Sequence, residues 1–251
     1  MLRSKRRSDR PIYEAPAAEP SRTERDGLDL RDEATDLSRR RNDASDGFSM
    51  NYSTKERMLN AGLTMLLRHG YNDLGIQAVL KETGVPKGSF YHHFASKEDF
   101  ALQVIERYMD EVHRGLDESL GDQSLPPLDR VRKFFESTRD KYREDGYLGC
   151  MLGGLGQELS GVSSAFQEKI EACLSAIAGR IADCMEQAQA SGDLPPGADP
   201  RHMANLVVNC WEGAALRSRL LRDPAPLNSM LDFYFSALGA TPSSRIEAAA
   251  E

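Results

Sequence analysis

The sequence predicts an all-α protein, with an N-terminal three-helix helix-turn-helix unit and a larger helical domain behind it. Three observations predict it. Apolar residues recur at spacings of three and four through most of residues 53–238, the repeat of one buried helix face. No segment alternates apolar and polar residues for long enough to form a strand. Helix signals, namely capping serines, prolines at first turns and glycines at ends, fall at the edges of the periodic stretches.

The first helix starts at Ser53-Thr54-Lys55-Glu56, a capping box in which Ser53 serves the amide three residues on and Glu56 reaches back. Met58, Leu59, Gly62, Leu63, Leu66 and Leu67 follow at helical spacing, and Gly70 is expected to close it with a left-handed cap. Ile76 to Thr83 forms a second helix with Ile76, Val79 and Leu80 inward and Gly84 as its stop. Pro86 opens a third, running to His93, because a missing amide hydrogen costs nothing in a first turn. Ser96 caps a fourth, where Glu98 and Asp99 suit the positive end of the helix dipole. Phe100, Val104, Tyr108 and Val112 form its stripe, and its length makes it a connecting rod.

Pro126-Pro127 starts the next helix, which carries Leu128, Val131, Phe134 and Phe135 and ends near Asp145-Gly146. From Ala165 to Ala190 the positions Phe166, Ile170, Cys173, Ile177, Ile181, Cys184 and Ala188 draw the clearest amphipathic stripe in the chain. A break over Asp193 to Pro200 precedes a helix marked by Met203, Leu206, Val207, Cys210, Trp211 and Ala214. Asp223-Pro224 closes that helix, and Leu227 to Leu238 makes the last one.

Composition divides the chain further. Residues 1–49 are rich in Arg, Asp, Glu, Ser and Pro and lack helical periodicity, so a disordered polar tail is expected there, with a second polar tail at 241–251. Met50 stands where an alternative translation start would fall. Between the tails, residues 50–97 form the helix-turn-helix unit and residues 98–240 the helical domain. The net charge of −7 is uneven: residues 50–100 carry six basic and five acidic side chains, and residues 101–251 carry fifteen and twenty-three. An anion-binding surface is therefore local to the middle segment. No apolar run is long enough to cross a bilayer, no apolar stretch follows the basic N-terminus, and the cysteines Cys150, Cys173, Cys184 and Cys210 fit neither a zinc spacing nor a disulfide framework. A soluble, unsecreted, cytoplasmic protein with no metal and no cofactor is expected.

The turn and third helix, TGVPKGSFYHHFASKED, gather donors where a short helix would meet a duplex: Lys87, Ser89, Tyr91, His92, His93 and Lys97. Gly88 lets the backbone approach closely, the amides opening the fourth helix offer a phosphate seat beside Lys97, and Phe90 and Phe94 anchor the helix from below. Gly70-Tyr71, Gly84-Val85, the run from Lys87 to Tyr91, His93-Phe94 and Ser96-Lys97-Glu98 together resemble the TetR family of bacterial transcriptional repressors. Gly75 in place of a hydroxyl, Leu80 in place of alanine and Pro86 in place of Ser or Thr depart from the family pattern.

The resemblance implies that Gln77, Lys87, Gly88, Ser89, Tyr91, His92, His93 and Lys97 form the DNA-binding set, with Lys87, Gly88 and Ser89 facing the groove. It further implies a double-stranded operator, a small-molecule inducer held in the C-terminal domain, and a homodimer through the last two helices. A two-fold dimer places its reading helices about 34–36 Å apart or somewhat further, which calls for a near-palindromic operator. The acidic C-terminal part would then face away from the DNA.

The stretch GYLGCMLGGLGQELSG, Gly146 to Gly161, and Trp211-Glu212-Gly213-Ala214 are similar to a subgroup of that family that senses reactive electrophiles and α,β-unsaturated acids such as acrylate. There Gly149-Cys150-Met151-Leu152-Gly153 would open the sixth helix. A thiol at a helix start is expected to have a lowered pKa and to act as a nucleophile toward an activated alkene. The same cysteine also reads as a small hydrophobe at a crowded joint. Tyr142, Tyr147, Cys150 and Trp211 are the candidate ligand-binding residues.

Catalysis is disfavoured. GGLGQEL has Leu159 where a dinucleotide loop needs its third glycine and no strand before it, and no phosphate-loop lysine motif occurs. A cysteine hydrolase needs a histidine base, and nothing in the sequence places His113 or His202 near Cys150.

Overall fold

The computed structural model describes residues 52–195 and 197–239, and the tails expected at 1–49 and 241–251 lie outside them. Among the described residues there are nine α-helices and no strand: α1 Thr54–His69, α2 Ile76–Thr83, α3 Lys87–His93, α4 Lys97–Leu120, α5 Pro127–Glu144, α6 Met151–Leu159, α7 Ser164–Ser191, α8 Pro200–Leu221 and α9 Ala225–Ala237.

Local chemistry sets the boundaries. Ser53 Oγ accepts from the Glu56 amide at 3.2 Å while the Ser53 amide donates to Glu56 Oε2 at 2.7 Å, so the expected capping box is complete. Gly75 caps α2 with no side-chain bond, as a residue without a hydroxyl must. Gly84, at φ 65° and ψ 24°, adopts the left-handed conformation that L-residues avoid, and it turns the chain from α2 toward α3. Two expectations shift. Gly70 has positive φ but an extended ψ of −175°, so α1 ends in a sharp exit and not a left-handed cap. Pro86, with ψ 146°, stands just outside α3 as its cap residue.

The first three helices close over one aromatic cluster. Phe90, Phe94 and Phe100 are all essentially inaccessible, with ring centres 4.8–5.2 Å apart. Arg57 donates to the Thr83 carbonyl, tying α1 to the end of α2, and Arg107 Nε donates to Asn60 Oδ1 at 3.2 Å, tying α4 to α1. At 24 residues α4 is about 36 Å long. It packs against α1 near its start and against α5 and α7 further on.

In the helical domain α7 packs on α8, α8 on α9, and α5 on α4, α7 and α9. Arg132 on α5 bonds Glu136 at 2.8 Å and Asp232 of α9 at 2.9 Å, with its guanidinium 5.6 Å from the centre of the Phe235 ring. Cys173 and Cys184 are buried on the α7 stripe, where the periodicity puts them.

The short helix α6 joins the two parts. Glu158, near its end, accepts from the amides of Tyr71 at 2.9 Å and Asn72 at 2.7 Å, in the turn after α1. Close by, the Tyr71 ring meets Phe166 edge-on at 5.0 Å, and Ser163 Oγ donates to Glu98 Oε1 at 2.6 Å. Glu158→Ala leaves two amides without their charged acceptor and is expected to lower stability by about 1–2 kcal/mol, read as a loss in the urea midpoint at constant slope.

Candidate functional site

On α3 the helical repeat separates floor from face. Phe90 and Phe94, four residues apart, point into the core, while Lys87, Gly88, Tyr91 and His92 are exposed together on the opposite side. Tyr91 is 51% exposed, unusual for an aromatic of its size. Ser89 and His93 are half-buried, and Gln77 is exposed on α2. Lys97 is half-buried, with its ammonium 4.3 Å from the centre of the Tyr71 ring, a cation–π contact. The phosphate seat expected at the head of α4 is partly taken by the helix's own caps. Ser96 Oγ accepts from the Asp99 amide at 3.0 Å, and Asp99 Oδ2 accepts from the Ala95 amide at 2.8 Å.

The second feature is a cavity of about 130 Å³ in the helical domain. Its walls come from α4, α5, the head of α6, α7 and α8, which contribute mainly aromatic and aliphatic side chains. Three of the four expected ligand residues line it: Tyr142, Cys150 and Trp211. The Tyr142 and Trp211 rings lie 5.8 Å apart, and Phe135 packs on Trp211 at 4.9 Å. Tyr147 does not line it. At φ 59° it sits in a left-handed turn after Gly146, a backbone reversal that separates it from Tyr142 and Leu148, which do.

Cys150 is the cap residue of α6, with φ −80° and ψ 127°. Its Sγ lies 3.8 Å from the Tyr108 hydroxyl. Glu212 completes the polar side: a Cβ added at Gly153 would meet its Oε2, so the carboxylate rests against the backbone one turn into α6. Burial first, and the Glu212 charge second, push the Cys150 thiol up to about 12. The expected lowering of this thiol is therefore overturned, because the helix start is outweighed by desolvation and a neighbouring carboxylate. Burial raises Glu212 above the ordinary carboxylate range and Tyr108 well above the ordinary phenol range.

A reactivity profile follows from that direction. The nucleophile is the thiolate, and its share grows tenfold per pH unit below the pKa. Alkylation of Cys150 by iodoacetamide, followed by peptide mass spectrometry, is expected to rise with unit slope from pH 7 to pH 10 without levelling. An unshifted thiol would level near pH 9.0, the ordinary value for a cysteine.

Tyr108 and Glu212 were not among the expected ligand residues. The sequence does hold a signal for Glu212, which follows Val208 by four residues on the buried side of α8 and so places a carboxylate on an inward face. Tyr108 reads as one more member of the α4 stripe. Among the described residues no group of three His, Cys, Asp or Glu side chains is gathered that would hold a metal ion, and no helix is long and apolar enough to cross a membrane.

Comparison with known proteins covers both parts of the chain. Residues 58–104 match the family described as bacterial regulatory proteins, tetR family, and residues 127–234 match the tetracyclin repressor-like C-terminal domain. The transcriptional regulator AcuR of Cereibacter sphaeroides is 38% identical over 175 residues, 69% of this chain and 80% of that protein. The transcriptional repressor NemR of Escherichia coli K12 is 27% identical over 181 residues, 72% of this chain and 91% of that protein. The crystal structure of a regulatory protein TetR from Rhodobacter sphaeroides superposes with a TM-score of 0.68 at 37% identity, covering 71% of this chain and 95% of that one. A helix-turn-helix fold, two domain matches in the right order and a relative of this identity together place the chain in the TetR family of transcriptional regulators.

Proposed function

We propose that the chain is a repressor that binds a near-palindromic operator as a homodimer and releases it when a small α,β-unsaturated electrophile, acrylate or an acryloyl thioester among the candidates, enters the Cys150 cavity. In this reading residues 50–97 bind DNA, residues 98–240 hold the inducer and the dimer interface, and the protein works in the cytoplasm. One observation carries the inducer: the cavity has a thiol in its wall and room for only a few heavy atoms. An engineered cavity of about 150 Å³ takes benzene, whereas sites for drug-sized ligands run to about 300–1,000 Å³. The volume here, about 130 Å³, favours a small reactive ligand over a drug-like one bound without chemistry.

The DNA-binding reading rests on the α3 face, with Lys87, Gly88 and Ser89 toward the bases and Tyr91, His92, His93 and Lys97 toward phosphates. Gln77 joins them from α2. Leu206, Leu216 and Leu220 on α8 and Phe233 on α9 are 40–78% exposed, an apolar surface of the kind a four-helix dimer interface covers. Cavity and operator then compete through one equilibrium, so the inducer weakens the operator by the factor that the operator weakens the inducer. Two elements run between them: α4, from Lys97 to the cavity residue Tyr108, and α6, from Cys150 to Glu158.

A mobility shift with the DNA upstream of the chain's own gene tests the reading. Affinity is expected to depend on sequence and to fall steeply with salt. Lys87→Ala is expected to weaken binding by about tenfold or more, the loss of one good base contact. Retention that ignores sequence would sink the proposal.

A further inference from the structure

Cys150 stands between the apolar cavity and two further spaces. A cleft of about 150 Å³ lies between α6 and α8, and another of about 240 Å³ lies between α6 and the end of α1. Cys150, Gly154 and Arg219 line both, so the two clefts adjoin there. Among the described residues the other partly or fully buried arginines, Arg107, Arg130, Arg132, Arg139 and Arg180, each bond a carboxylate, an amide oxygen or a carbonyl. Arg219 is half-buried and has no hydrogen bond or ion pair with any described residue. Its stem runs beside Gly149, where an added Cβ would lie 3.7 Å from Arg219 Cδ, so the side chain passes the residue next to Cys150. A half-buried cation without a counter-charge carries a cost that a bound anion removes.

We propose that Arg219 is the specificity-determining residue of the inducer site: its guanidinium holds the carboxylate of a short α,β-unsaturated acid while the alkene reaches Cys150. The inference rests on the Cys150 reading above and narrows its ligand class to free acids of a few carbons. In such an acid the carboxylate stands two bonds from the carbon that sulfur attacks. A wall that offers a fork of N–H donors beside a thiol matches both ends, and the apolar cavity beyond Cys150 takes the hydrocarbon part. The adduct step is balanced by the partners alone: sulfur bonds to the β-carbon, the carbon–carbon π bond opens, and the thiol proton ends on the α-carbon. The acids nearby leave the guanidinium available. Glu212 sits seven residues earlier on α8, about 10 Å along the helix, and burial favours its neutral form. Glu158, in the second cleft, already holds the amides of Tyr71 and Asn72. Arg68, exposed on the rim of that cleft, adds a second positive charge.

The test uses the full chain and two unreactive probes of like size, propanoate and propanamide, so that binding is read apart from adduct formation. Each is titrated at fixed ionic strength against the alkylation of Cys150 by iodoacetamide, followed by peptide mass spectrometry. In the wild type, propanoate is expected to shield Cys150 at a concentration at least about tenfold lower than propanamide, the weaker end for a hydrogen bond to a charged group. Arg219→Gln is expected to erase that preference, and Arg219→Lys, which keeps the charge and loses the fork, to keep part of it. Operator binding by the variants reports that they are folded. Equal shielding by the two probes in the wild type, or shielding by neither, overturns the inference whether or not the variants fold. An unchanged preference in folded Arg219→Gln protein overturns it also. The expected preference without operator release by acrylate instead removes the inducer reading and leaves Arg219 as a carboxylate site.

Discussion

Cys150→Ser is expected to bind the operator within about twofold of the wild type and to remain bound at electrophile concentrations that release the wild type completely. The substitution is nearly isosteric at a half-buried position and puts a small hydroxyl where the thiol faces the Tyr108 oxygen. Fold and reading helices should therefore be untouched. What disappears is the one atom in the wall able to form a carbon–sulfur bond, because an alcohol ionises far less readily than a thiol. Titrating electrophile into protein–operator complexes in a mobility shift gives the comparison directly. Equal release of both proteins would make Cys150 a packing residue, and the small-hydrophobe reading of the sequence would be the right one.

Phe90→Ala is expected to be the most damaging single change in the DNA-binding unit, costing about 3–5 kcal/mol. Phe90 is fully buried, and its ring meets those of Phe94 and Phe100 at 5.1 and 5.2 Å. It sits at the centre of a helix of seven residues, too short to persist without its tertiary contacts. Against the total of about 5–15 kcal/mol that holds a typical domain, a loss of this size empties the folded population of the unit that presents Lys87 and Tyr91. Denaturant unfolding and operator titration of the variant check it. A midpoint shift worth less than about 1 kcal/mol would mean that the aromatic cluster closes over the gap.

Most helix limits were legible because they are decided locally. Ser53 and Ser96 each cap the helix that follows them, and a cap needs only a side chain and an amide three residues away. The same locality explains why the α3 face could be read from spacing: Phe90 and Phe94 repeat at the helical interval, so the residues between them must look outward. The cavity was legible only in part. Cys150 stood out by its glycine-rich setting, but Tyr108 and Glu212 come from helices far away in sequence, and their convergence is a product of packing. The thiol's direction of shift was misjudged for the same reason. A helix start is visible in the sequence; the burial that overrides it, and the carboxylate 62 positions later that adds to it, are not. Tyr147 failed on a single backbone angle, since aromatic character says nothing about which way a turn sends its side chain.

The helix α6 reaches from the thiol to the turn after α1 in nine residues, about 13 Å, and three of those nine are glycines. Each glycine costs about 1 kcal/mol of helix preference relative to alanine, and so short a helix has little cooperativity of its own. It is ordered by its neighbours: Met151, Leu152, Leu155 and Leu159 are buried in the core, and Glu158 at its end holds the amides of Tyr71 and Asn72. In the proposed reading such an element would work as a fuse and not as a lever. An adduct that crowded its first turn would not need to push anything over a distance; it would have only to loosen the helix, and the Glu158 carboxylate that holds the turn after α1 would be released with it. The threshold of the response would then be set by how poorly α6 stands alone, which makes its surplus of glycine a calibration of sensitivity.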